Sequence, residues 1–182
     1  MQLPPHPFTT WPRRHRAAWL IALSVPSALF ILYAMLFQPL GDEDIVAFEL
    51  AGSVGRVNEI LATWRADDVI GVAKAIQLAD IVYPFVYGFA IAGGCVGASA
   101  AWRRAGNARM AQATNTLAWI ATSAIVFDYV ENLGLAVSLW GDPAAPWPQV
   151  SLVAGSLKFV AILAGLAGVL TWPVARRIRA PA

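Results

Sequence analysis

Apolar residues run along this chain in four long stretches, at about 17–37, 76–100, 114–140 and 149–174, each near or above the ~20 residues that a bilayer-crossing helix needs. The 38–75 segment between the first two is patterned differently. There Val54, Val57, Leu61 and Trp64 recur at helical spacing, which predicts an amphipathic helix with Ser53 as its N-cap. Ile45–Leu50 reads as a short strand. Asp68 reads as the cap of a following helix that begins outside the bilayer near Val69. This segment is expected to pack over one end of the bundle or to lie in the membrane interface. Pro26 is expected to kink the first stretch. The first stretch exceeds a signal-peptide core and is followed by no small-residue cleavage site, so it reads as a retained helix.

The expected fold is an all-α, four-helix transmembrane bundle. Its parts are a tail at 1–16 without hydrophobic period, a membrane domain at 17–174 carrying the outer segment 38–75, and a basic tail at 175–182. The tail's prolines and polar residues predict disorder. Composition agrees with a membrane protein: of 182 residues, 58% are hydrophobic and 13% charged, against roughly 25% charged in a soluble domain.

Charge then orients the spans. Arg13, Arg14 and Arg16 precede the first, Arg103, Arg104 and Arg109 fill the link between the second and third, and Arg176, Arg177 and Arg179 follow the last. The 38–75 link holds Asp42, Glu43, Asp44, Glu49, Glu59, Asp67 and Asp68 against Arg56, Arg65 and Lys74, and the 141–148 link has Asp142 and no base. Basic links stay cytoplasmic, so both termini are expected inside. Trp11, Trp19, Trp102, Trp140, Trp147 and Trp172 lie near span ends, as an interfacial aromatic belt requires. The net charge of +2 follows topology and does not point to nucleic acid.

Candidate chemistry lies inside the spans. Asp80, Tyr83 and Tyr87 share one face of the second, while Asp128, Glu131 and Asn132 share one face of the third. Leu117, Ala121 and Ala124 continue that last face toward the basic link. Lys158 in the fourth lies with Ser151, Ala154, Ala161 and Gly165, small residues that mark a helix–helix interface. Charge in a bilayer costs at least ~2.5–3.5 kcal/mol per group and usually marks function. At ~1.5 Å per residue, Glu131 and Lys158 sit at similar depth in the outer half and form the natural ion pair. Pro84 removes a backbone N–H and frees the carbonyl of Asp80. One base against Asp80, Asp128 and Glu131 cannot neutralise all three, so at least one is expected to hold a proton, the state proton transfer uses.

These residues define a polar site for a small or amphipathic ligand or a proton relay, lined by Asp80, Tyr83, Tyr87, Asp128, Glu131, Asn132 and Lys158. The alternatives are a membrane-embedded acid–base enzyme using Asp80, Asp128, Glu131 or Lys158 on a lipophilic substrate, and a non-catalytic accessory subunit. No cofactor is indicated. The metal reading is weak, because Lys158 would compete for the carboxylates and His6 and His15 lie in the tail, which also excludes histidine-held haem within the bilayer. Cys95 reads as a packed thiol. Gly93 and Gly97 form a G-x-x-x-G that allows close helix contact and hints at a homodimer. The expected partners are the lipid bilayer, a lipophilic small molecule, and a second copy or another membrane protein.

The order of features resembles a group of small bacterial four-span inner-membrane proteins. It is carried by FELAGSVGRVNEILATW, LADIVYPFVYG, FDYVENL and SLKF across residues 48–159. The resemblance implies a multi-pass bacterial inner-membrane location and no activity. The four-span topology is also similar to that of sterol isomerases and related lipophile-binding proteins, in topology alone.

Overall fold

The computed structural model describes residues 3–11, 13–37, 40 and 44–178. Among these the chain is all-α, with a 3-10 turn at Pro7–Thr10 and seven helices: α1 Arg13–Phe37, α2 Ile45–Glu49, α3 Val54–Ala66, α4 Ile70–Ala79, α5 Tyr83–Arg104, α6 Ala108–Trp140 and α7 Trp147–Arg177. Three of them, α5, α6 and α7, are long and apolar enough to cross a membrane. Much of their apolar surface faces outward, with Val126, Leu133, Val153, Val160, Leu163 and Leu170 all exposed. This is the surface of helices solvated by lipid.

The expected four-span bundle is therefore corrected to three candidate spans among the described residues. The described apolar run of α1 is Ala17–Leu29, short of the ~20 residues a crossing needs, and Pro26 lies within that helix. The stretch expected as one helix over 76–100 is divided. It ends as α4 at Ala79 and restarts as α5 at Tyr83. With three candidate spans, placing both termini on one side no longer follows from the count. The expected residues Arg179, Asp42 and Glu43 lie outside the described residues.

Residues fall into two compact units. The first comprises 1–27, 85–125 and 159–182. Here α5 ends in a turn where Gly106 adopts φ 75°, a left-handed conformation that glycine takes without strain. Asn107 Oδ1 then accepts from the N–H of Met110 at 3.0 Å and starts α6. Small residues bring the helices together. A Cβ on Gly93 would meet Leu20 at 2.9 Å, one on Gly97 would meet Trp172 at 2.7 Å, and one on Gly165 would meet Ile91 at 2.6 Å. Both glycines of the G-x-x-x-G motif are thus occupied within the chain. Cys95 is buried and donates to the carbonyl of Gly165 at 3.1 Å.

Pro4–Thr10, in the segment whose composition predicts no packed structure, is docked in this unit. The carbonyl of Pro4 accepts from Asn115 Nδ2 and Trp119 Nε1, and the N–H of His6 donates to Asn115 Oδ1 at 3.0 Å. The imidazole is buried. Its Nδ1 accepts from the N–H of Phe8, so Nε2 carries the proton and faces Thr122 Oγ1 at 3.0 Å. Burial holds the His6 pKa below the ordinary imidazole range. The docked segment therefore prefers neutral His6. Its contribution to stability is full above the ordinary imidazole pKa and is lost as pH falls through the lowered value. Hydrogen exchange at the His6 amide is expected to quicken as pH drops below the ordinary imidazole range once intrinsic exchange is corrected for, and His6→Gln is expected to abolish that dependence.

The second unit comprises 28–84 and 126–158. Its core is Phe48, Val57, Ile60, Leu61 and Trp64 from α2 and α3, closed by Ala73, Leu135 and Leu139. The amphipathic pattern of α3 holds, and Ser53 Oγ caps it by accepting from Arg56 N–H at 3.2 Å. Two local expectations change. Ile45–Glu49 is a helix rather than a strand, because Asp44 Oδ1 caps it at Ala47 N–H, 2.7 Å away. Asp68 does not cap α4. It takes φ 58° and ends α3, a left-handed position that Asp tolerates better than most residues.

The α4–α5 break is built from the sequence. Pro84 cannot donate, and the carbonyl of Asp80 that it frees, like that of Ile81 at the same break, finds a side chain of α6 instead. Asn132 Nδ2 donates to the carbonyl of Asp80 at 3.2 Å, and the Tyr129 hydroxyl donates to the carbonyl of Ile81. Irregular backbone at membrane depth requires such partners.

Candidate functional site

Four ionisable side chains converge in the second unit. Lys158 Nζ lies 2.6 Å from Glu131 Oε2, 3.1 Å from Glu49 Oε2 and 3.8 Å from Asp128 Oδ2. None is more than 8% exposed. The Glu49 contact is a hydrogen bond. The Glu131 contact is the shorter of the two and forms a buried ion pair.

Small residues make the room. A Cβ on Gly155 would stand 2.7 Å from Glu131 Oε1, so a side chain there would displace the carboxylate. At Gly134 a Cβ would collide with Ser151 Oγ. Ser151 uses that proximity to donate to the carbonyl of Glu131 at 3.2 Å. Ser151, Ala154, Lys158 and Ala161 are all buried, as the small-residue face predicts.

A hydrogen-bond chain leads out of the cluster. Asn132 Nδ2 donates to Asp128 Oδ1 at 2.9 Å, and Asn132 Oδ1 accepts from Gln77 Nε2 at 2.7 Å. Gln77 and Asn132 in turn line a groove of about 410 Å³, walled by Leu78, Ile81, Tyr129, Leu133, Ala136 and Trp140. That volume lies within the ~300–1,000 Å³ of small-molecule sites.

Of the residues singled out from sequence, Asp128, Glu131, Asn132 and Lys158 do come together, and Glu131–Lys158 is the shortest ion contact. Asp80 takes part through its main-chain carbonyl, while its side chain is only partly buried. Tyr83 is half-buried at the first turn of α5 in the same unit, whereas Tyr87 belongs to the other unit. The third acid of the cluster is Glu49, placed by sequence in the solvated segment. The signal was there: Glu49 is a lone acid within the apolar run IVAFELA, where a solvated face would show more charge. Gln77 carries no charge, so nothing in the sequence marks it.

Three carboxyls around one ammonium leave the cluster acid-rich. Burial pushes the Glu49 carboxyl above its ordinary range, against the opposing pull of Lys158. The folded chain thus binds this proton more tightly than the unfolded chain. The Glu49 contribution to stability is full below the ordinary carboxylate pKa and is lost as pH rises through the raised value. Melting temperature is expected to fall from mildly acidic to alkaline pH, and Glu49→Gln is expected to flatten that slope in scanning fluorimetry.

The fold and the site together define a multi-pass membrane protein with a buried charged network. No family model, curated protein or solved structure matches this chain.

Proposed function

We propose that this protein binds a small amphipathic molecule in the groove between α4 and α6, entered sideways from the lipid. The observation that carries this is the pairing of exposed apolar walls with a polar floor. Leu78, Ile81, Leu133 and Trp140 face outward, while Gln77 and Asn132 connect the floor to Asp128. A purely structural ion cluster has no need of such a chain.

The cluster itself supports binding over acid–base catalysis. Lys158 is within 4 Å of three carboxyls, and the groove walls include none of the four ionisable groups. Its role is to hold α2, α6 and α7 in register and to orient Asn132. Arg103, Arg104, Arg176 and Arg177 flank the ends of α5 and α7, which supports a cytoplasmic side for that link and for the C-terminal end. The groove then opens in the outer half of the plasma membrane.

Native mass spectrometry of the full chain with lipid extracts tests the reading. Wild type is expected to retain an adduct that Ala136→Phe, which fills the groove, loses without a change in melting temperature. Equal retention by the variant, or none by wild type, removes the proposal.

A further inference from the structure

The groove's polar floor also specifies the head group that it accepts. This step rests on the groove being a binding site. Both hydrogens of Asn132 Nδ2 are used, on Asp128 Oδ1 and the carbonyl of Asp80, and its Oδ1 accepts from Gln77. Those two acceptors fix the orientation of the Asn132 amide, since an oxygen in place of Nδ2 would face two oxygens. The Gln77 amide is thereby fixed as well, with Nε2 toward Asn132. Its Oε1, and the second hydrogen on Nε2, make no hydrogen bond among the described residues. Gln77 is nevertheless only 5% exposed. Gln77 Oε1 is not among the fully buried unpartnered atoms, so the little exposure of this side chain opens on the groove that it lines. An amide that faces lipid there with one acceptor and one donor unused is costly unless something pairs with it.

We infer that the groove takes a neutral lipid alcohol, with its hydroxyl on the Gln77 amide and its hydrocarbon on Ile81, Leu133 and Trp140. A hydroxyl donates to Oε1 and accepts from Nε2 at one atom, so it meets both needs. A carboxylate only accepts and leaves Oε1 unmet. It also approaches an acid-rich cluster of Glu49, Asp128 and Glu131 whose counter-charge among the described residues is Lys158. An ammonium only donates and leaves the Nε2 hydrogen unmet. It cannot reach a carboxylate for compensation either, because Asp128 and Glu131 are at most 1% exposed behind the floor.

The test uses diazirine-bearing analogues of hexadecanol, hexadecanoic acid and hexadecylamine, matched in chain length. The full chain is held in phosphatidylcholine nanodiscs at neutral pH, and the crosslinked peptides are mapped by mass spectrometry. The alcohol is expected to label the peptides carrying Ile81 and Leu133 several-fold more than the acid or the amine. Gln77→Leu is expected to lower alcohol labelling about three- to tenfold, the range of one or two lost hydrogen bonds. Equal labelling by the three head groups of wild type, or stronger labelling by acid or amine, overturns the alcohol assignment and leaves the groove standing. That comparison needs no variant, so it holds even where Gln77→Leu folds poorly. Labelling by no probe, or labelling that Ala136→Phe leaves unchanged, overturns the groove itself and the alcohol with it.

Discussion

Lys158→Met is expected to be the most damaging single substitution in this chain. The methionine keeps most of the apolar stem of lysine, so the loss is of the ammonium, with its charge and its hydrogen bond to Glu49. It leaves Glu49, Asp128 and Glu131 around a site that is nowhere more than 8% exposed, without a cation. Breaking a buried ion pair from one side costs about 3–5 kcal/mol, and here three acids are stranded together. Thermal unfolding in detergent should show a loss of that order. The loss should be partly recovered in Lys158→Met combined with Glu131→Leu and Glu49→Gln, since replacing a whole buried network with neutral groups is far cheaper than halving it. A single variant that melts with wild type would mean that Lys158 does not hold the carboxyls together.

Trp64→Ala is expected to come second. Trp64 is 0% exposed and packs against Phe48 with the ring centroids 5.0 Å apart, and Phe48 is the neighbour in sequence of Glu49. Truncating a buried Trp costs about 3–5 kcal/mol through lost burial and the cavity left behind. The effect should be local first. Limited proteolysis is expected to open the 45–66 segment at a temperature where α6 and α7 stay protected. Its release should also free Glu49 from Lys158, because α2 is held to the second unit by the same core. The pH dependence assigned to Glu49 should therefore weaken in Trp64→Ala. If the segment stays protected, the contribution of Trp64 to the core is smaller than its burial implies.

Much of the site was legible because helical phase is a local property. Asp128, Glu131 and Asn132 are placed on one face by spacing alone, and Lys158 is placed inward by the small residues beside it. Pro84 announces its freed carbonyl in the same way. Glu49 was not legible as a site residue. Its partner lies 109 positions away, and nothing within α2 states that the helix folds back onto α7. Reading Ile45–Leu50 as a strand hid it further, since the Asp44 cap decides helix there. The groove was not legible either, because it exists only where the α4–α5 break meets α6.

The number of spans shows the same division. Apolar length along a sequence predicts which segments prefer lipid, and for α6 and α7 that preference and the helix coincide. It does not say where a helix stops. The run at 76–100 is interrupted because side chains of α6 supply hydrogen bonds to the carbonyls of Asp80 and Ile81, which makes the break affordable.

The chain by itself determined that this is an all-α membrane protein, where its basic and acidic links lie, and which faces of α6 and α7 turn inward. Those follow from periodicity, composition and charge, each a sum over near neighbours. Only the tertiary structure decided that Glu49 closes the ion cluster, that Gln77 and Asn132 carry hydrogen bonds outward from it, and that Pro4–Thr10 docks through His6. Each of these is a pairing between residues far apart in the chain. Burial makes an unmet polar group costly, so the fold selects the partners that local sequence cannot name.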